Sequence, residues 1–134
     1  MNAPPSAPAG RLRDLSPFAA DTISRYPALL DDLARSGRLA RQSAPGELPG
    51  LLTAHLAGTS GDDDFLKRLR LFRHRELVRI IWRDLNEGAD VTESLRDLSD
   101  LADAAINAAL DYADGLLRAR HGAPRTEDGS PCGP

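Results

Sequence analysis

Hydrophobic positions along this chain recur at three- and four-residue steps, and runs of alternating apolar and polar residues are nearly absent. That period belongs to α-helices packed through one face, so the sequence predicts an all-α protein. The punctuation agrees. Ser16-Pro17 opens a first helix, with a hydroxyl to cap free N–H groups and a proline at the position that has no N–H to bond. It ends near Arg25, because Pro27 disfavours helical geometry at Tyr26. Pro27 opens a second helix, PALLDDLARSG, whose Leu29, Leu30 and Leu33 share a face and whose Gly37 suits the position just past its end. SAPGELPG, residues 43–50, reads as a loop, followed by a short helix carrying Leu51, Leu52 and Leu56 and stopping at Gly58.

TSGDDD is the next connection, and its acids stand where they favour the positive end of the following helix. Asp63 and Asp64 precede Lys67 and Arg68 by four, the favourable order for helix ion pairs. From Phe65 to about Asn86 apolar residues fall on most sides, which predicts a largely buried helix. Asp90 and Glu93 then have capping-box spacing, and a last helix runs from about Val91 to His121, closed by Gly122. Val91, Leu95, Leu98, Ala102, Ala105, Ala109, Tyr112 and Leu116 form a heptad seam along it, predicted to meet a neighbouring helix closely at its alanines. At 1.5 Å per residue that helix is roughly 45 Å long, a rod that calls for partners along its sides. The expected fold is an irregular bundle of about five helices ending in one long helix. Residues 1–14 read as a disordered tail, 15–122 as the helical segment and 123–134 as a polar linker.

Composition narrows the function. The chain has 134 residues, enough for one core, with 4% aromatic residues, so the core is mainly Leu, Ala, Ile and Val. A net charge of -3 gives no electrostatic ground for nucleic-acid binding. No window is apolar enough to span a membrane, and the N-terminus lacks a signal-peptide core. One cysteine, Cys132, fits a reducing compartment, hence the cytoplasm. Lys67 is the only lysine among many arginines and alanines, a bias that points to a GC-rich bacterial genome.

Candidate chemistry is thin. His55, His74 and His121 fall on different helices with no ligand at metal spacing, so no metal site is expected. Asp62 and Asp64 have the D-x-D spacing by which nucleotidyl transferases hold Mg²⁺, but they precede a helix instead of projecting from a strand. Phosphate-loop and dinucleotide motifs are missing, and no catalytic residue is assigned. The arginine-rich helix is the most informative stretch. Glu76, Arg79, Arg83 and Glu87 fall along one face as an alternating ion ladder, read as turned to solvent or to a neighbouring domain.

The core F-R-x-R-E-x-x-R-I-x-W-R-D-L, Phe72 to Leu85, followed by ADVTESLRDLSDLAD, residues 89–103, resembles the bifunctional glutamine synthetase adenylyltransferase/adenylyl-removing enzyme family. The short helices before it and RHGAPR, Arg120 to Arg125, are also similar, so the resemblance covers most of residues 18–125. It implies a helical segment preceding the first of two nucleotidyl transferase domains, in an enzyme that attaches AMP to glutamine synthetase from ATP and removes it by phosphorolysis. It implies glutamine synthetase and the PII signalling protein as partners, and Mg²⁺ with ATP or ADP as cofactors of the parent enzyme, none bound by this segment. The S-D-x-D motif of such a domain is expected just after Pro134, which makes the chain an N-terminal piece, inactive alone. What carries over is scaffold: Arg73, Glu76, Arg79, Trp82, Arg83 and Asp84 match the family's helical motif and are expected to brace the catalytic domain. Two rivals remain. A stand-alone adaptor would dock a partner along the alanine seam and leave that seam exposed in the monomer. A nucleic-acid binder using the arginine helix would lose affinity steeply with salt.

Overall fold

The computed structural model describes residues 6–122. Six helices follow in order: α1 (Ser6–Leu15), α2 (Pro17–Arg25), α3 (Leu29–Arg35), α4 (Glu47–Leu56), α5 (Asp62–Asn86) and α6 (Val91–His121). There is no strand among the described residues. α5 is the axis of the bundle, in contact with α1, α2, α4 and α6, while α4 also packs on α6.

Two apolar clusters flank that axis. Leu12, Ala19, Ile23, Leu29, Leu33 and Leu39 close around Val78 on one side, with Trp82 and Leu85 packed against them. On the other, Leu48 and Leu52 of α4 meet Phe72 and Ile80 of α5 and Leu101 and Ala104 of α6. α5 supplies side chains to both clusters because its apolar residues lie on several faces, as the sequence predicts.

Several ends form as their residues dictate. The Ser16 hydroxyl accepts the Ala19 N–H at 3.1 Å, and Asp90 Oδ1 accepts the Glu93 N–H at 2.8 Å. Gly37 and Gly122 close their helices at positive φ, which glycine adopts without a Cβ penalty.

Three expectations change. The expected tail 1–14 is helical from Ser6, because Leu12 is 0% exposed in the first cluster and its carbonyl accepts the Ser16 N–H. Burying that one leucine is worth roughly 2 kcal/mol, which holds a short helix that composition alone leaves unstructured. The expected loop 43–50 ends early: Glu47 begins α4, and Pro49 sits in its first turn, where no intrahelical N–H bond is lost. The α6 seam is also displaced. Val91, Leu95, Leu98, Ala102, Ala109 and Leu116 are exposed, and of the predicted seam only Ala105 is buried and Tyr112 half-buried. The packed face runs instead through Asp97, Leu101, Ala104 and Ala108. α6 has more apolar surface than one neighbour covers, and the buried acid Asp97 selects which part goes inward. The linker 123–134 lies outside the described residues.

Candidate functional site

Where α5 passes between the connection after α3 and the start of α6, its charged residues turn inward. Glu76 and Arg79 are 0% exposed, and Arg38, Arg83 and Asp97 are buried with them. Arg38 grips Glu76 with both terminal nitrogens, Nη2 lying 2.7 Å from Oε1, and the same Nη2 donates to the Ser43 hydroxyl at 3.0 Å. Arg79 donates through Nε to Glu76 at 3.0 Å and through Nη2 to Asp97 at 3.0 Å. One turn on, Arg83 holds both oxygens of Glu93, at 2.6 and 3.0 Å, and donates through Nη1 to the Leu39 carbonyl at 3.1 Å.

The ion ladder expected along an outer face is therefore an interior network; of its four members only Glu87 is exposed. Three buried arginines meet two buried carboxylates, Glu76 and Asp97, and two half-buried ones at the edge, Glu93 and Glu47, so no guanidinium is buried without an anion, as a low dielectric demands. The bonds are positional: through α5 they fix the 38–43 connection and the first turns of α6 at once. Arg79 Nη1 and Asp97 Oδ1 are left without a protein partner. Ionisation follows the geometry. The hydrogen-bonded Arg83 guanidinium pulls Glu93 below the usual carboxylate range, and Glu93 in turn raises Arg83. At the rim, hydrogen bonds from Arg41 and from the Ala44 N–H, with Arg38 nearby, hold Glu47 down at about 2.

Of the residues singled out in the sequence, Glu76, Arg79 and Arg83 meet in this network. Trp82 is half-buried against the first cluster. Arg73 and Asp84 are exposed and take no part. Sequence reasoning missed Arg38 and Asp97, whose carboxylate and guanidinium partners are distant in the chain, and with Arg38 its near neighbour Ser43. It took Glu93 for a capping residue only. One signal was available: Asp97 interrupts the helical line continued by Leu101, Ala104 and Ala108.

The acidic turn does not fit a metal or a nucleotide. Asp64 accepts the Ser60 N–H at 3.0 Å and pairs with Arg68 at 3.2 Å, and the backbone bond above all pulls it below the usual range. Asp62 accepts the Tyr112 hydroxyl, which raises the Tyr112 pKa, while the Tyr112 ring stacks on Phe65 at 3.9 Å. These two carboxylates are engaged in fastening α5 to its surroundings. Among the described residues no group of three His, Cys, Asp or Glu side chains could hold a metal ion. His55 Nε2 lies 2.9 Å from the Arg68 carbonyl oxygen, and His74 packs edge-on against Phe18. No described helix is long and apolar enough to cross a membrane.

Outside the network, α5 and α6 enclose an apolar groove of about 260 Å³, lined by Leu77, Ile81, Val91, Leu95 and Leu98 among others. It continues into the exposed stripe of α6.

An all-α bundle locked by a buried ion network and left open along one apolar face is the class of protein this arrangement defines. Comparison with known proteins names it further: residues 9–133 match the family model described as glutamate-ammonia ligase adenylyltransferase, and the chain belongs to that family. It is 40% identical over 116 residues to a bifunctional glutamine synthetase adenylyltransferase/adenylyl-removing enzyme from Thioalkalivibrio sulfidiphilus, covering 87% of this chain and 12% of the relative. Relatives of the same name from Pseudomonas putida and Pseudomonas aeruginosa are each 44% identical, over 72% and 76% of this chain and 10% of their own lengths. The chain thus spans about a tenth of the length of these relatives. No solved structure matches it.

Proposed function

We propose that this chain is the N-terminal helical part of a cytoplasmic bacterial enzyme that adenylylates glutamine synthetase and removes the AMP again. In that reading the segment is scaffold and inactive alone. ATP, ADP and Mg²⁺ act in nucleotidyl transferase domains elsewhere in the polypeptide, glutamine synthetase is the substrate, and the PII protein signals nitrogen status. Arg38, Glu76, Arg79 and Arg83 act by position, holding α6 at a fixed angle so that its outer face meets those domains.

The observation that carries this reading is the family match across residues 9–133, joined to a polar constellation that is buried and salt-bridged instead of facing a cleft. The test is AMP release from adenylylated glutamine synthetase in the presence of phosphate. The 134-residue chain is expected to release none and a polypeptide of the relatives' length to release it readily. Release by the short chain would overturn the scaffold assignment.

A second reading is favoured by one specific observation. Most of the α6 seam, all but Ala105 and Tyr112, is exposed, as a stand-alone adaptor docking another protein would have it. A short chain that captures a separate partner, in cells that also hold a complete enzyme, is the outcome that would put the adaptor first.

A further inference from the structure

The outer side of the α5–α6 pair carries an apolar stripe that the rest of the described fold leaves open. Val91, Leu95, Leu98, Ile106, Leu110 and Leu116 are each between 40% and 70% exposed. Ala102 and Ala109, also exposed, keep the surface between them low, so a second helix could approach closely. From Val91 to Leu117 the stripe runs roughly 40 Å, far beyond the scattered apolar residues normal on a monomer. At its start the groove against Leu77 and Ile81 makes it concave.

Charge stands beside it. Arg73 and Arg70 lie one and two turns before Leu77 on the same side of α5, and both are exposed. Neither has a carboxylate within salt-bridge distance among the described residues. Nearby His74 is pushed below its ordinary value by burial and then by Arg73, Arg70 and Arg25, a second sign that this end of α5 is electropositive. Asp84, farther along the same side of α5, lines the groove itself, so the cationic edge is confined to the Arg70–Arg73 end, where it fits a partner helix that carries acids and disfavours a basic one.

We infer that the α5–α6 face seats an amphipathic, acid-flanked helix from the part of the same polypeptide that lies beyond this segment. The inference rests on the reading that the chain is one part of a longer enzyme. Residues 123–134 hold no Leu, Ile, Val or Phe, so they do not supply the occupant. The relatives are matched over only 10–12% of their length, so ample chain exists to supply it, tethered at high effective concentration.

The test is thiol labelling in a Cys132→Ser background, with a single Leu98→Cys or Leu110→Cys on the stripe or Asn107→Cys on the polar face of α6. Each variant is compared in the 134-residue chain and in a polypeptide of the relatives' length. The expected result is labelling at both stripe positions slower by an order of magnitude or more in the long polypeptide, with Asn107→Cys unchanged. Arg70→Glu with Arg73→Glu should restore most of the stripe labelling. Equal labelling in both lengths overturns the docking site, and protection indifferent to the two arginine changes overturns the acidic flank. Concentration-dependent protection in the short chain would instead make a second copy the occupant. AMP release by the long polypeptide is read in parallel: activity with an unprotected stripe sinks the docking site alone, whereas absence of activity sinks the reading beneath it.

Discussion

Arg83 holds both carboxylate oxygens of Glu93, and so removes Glu93 from the capping box its spacing with Asp90 suggests. Asp90 still caps α6 through the Glu93 N–H, but the glutamate side chain turns to α5 instead of back to the Asp90 backbone. One residue thus starts a helix and fastens it. Replacing Arg83 with Lys keeps the charge but loses the fork and the Leu39 carbonyl bond. That change should cost about 1–3 kcal/mol in urea unfolding, against about 1 kcal/mol for Asp90→Ala, which removes only the cap.

Glu76 is the shared acceptor for Arg38 and Arg79. Glu76→Gln leaves two buried guanidinium groups facing a neutral amide, and the expected loss is about 3–5 kcal/mol. Replacing Arg38, Glu76, Arg79 and Asp97 together by apolar residues of similar volume should cost much less, since no buried charge is then left unpaired. Chemical denaturation of the two proteins side by side distinguishes a network that specifies position from one that supplies stability.

Acid should weaken the fold in two stages. His74 has its folded pKa lowered from 6.5, so the unfolded chain takes up a proton first and stability falls as pH drops below that value. Glu47 and Glu93 are lowered from 4.5, Glu47 to about 2, so their contribution is complete above 4.5 and drains away as pH falls toward 2. Thermal melts from pH 7 to pH 2 should show the steeper loss in the lower window, and Glu47→Gln should flatten part of it.

The first helix offers a sharp contrast. Leu12→Ala should destabilise by about 2–4 kcal/mol because its side chain is enclosed in the first cluster. Leu15→Ala, at a 60% exposed position, should stay within about 0.5 kcal/mol. Equal, small effects in circular-dichroism melts would mean that α1 does not belong to the core.

What could be read from the chain was mostly local. Ser16 with Pro17, Asp90 and Gly122 mark helix ends because a cap needs only neighbours three or four residues away. The arginine-rich stretch was recognisable as central, but its direction was not, since Glu76 meets Arg38 across 38 residues and Arg79 meets Asp97 across 18. Periodicity alone cannot tell an ion ladder facing water from one facing the interior. The α6 seam failed for a related reason: its apolar arc is wider than the neighbours present, and a regular heptad can be traced along the uncovered part. α1 was missed because one inserted leucine is a weak signal within an Ala/Pro-rich run. The site residues Arg73 and Asp84, matched through the family motif, lie on the surface, where no salt-bridge partner stands among the described residues.

The measurement that tests the scaffold account most directly is complementation in trans. A polypeptide of the relatives' length lacking the counterpart of residues 1–122 is assayed for AMP release from adenylylated glutamine synthetase, with and without the purified 134-residue chain. The account predicts little release without the chain and substantial recovery with it, reduced when Leu98 and Leu110 are replaced by Asp. Full activity of the shortened polypeptide on its own would contradict it.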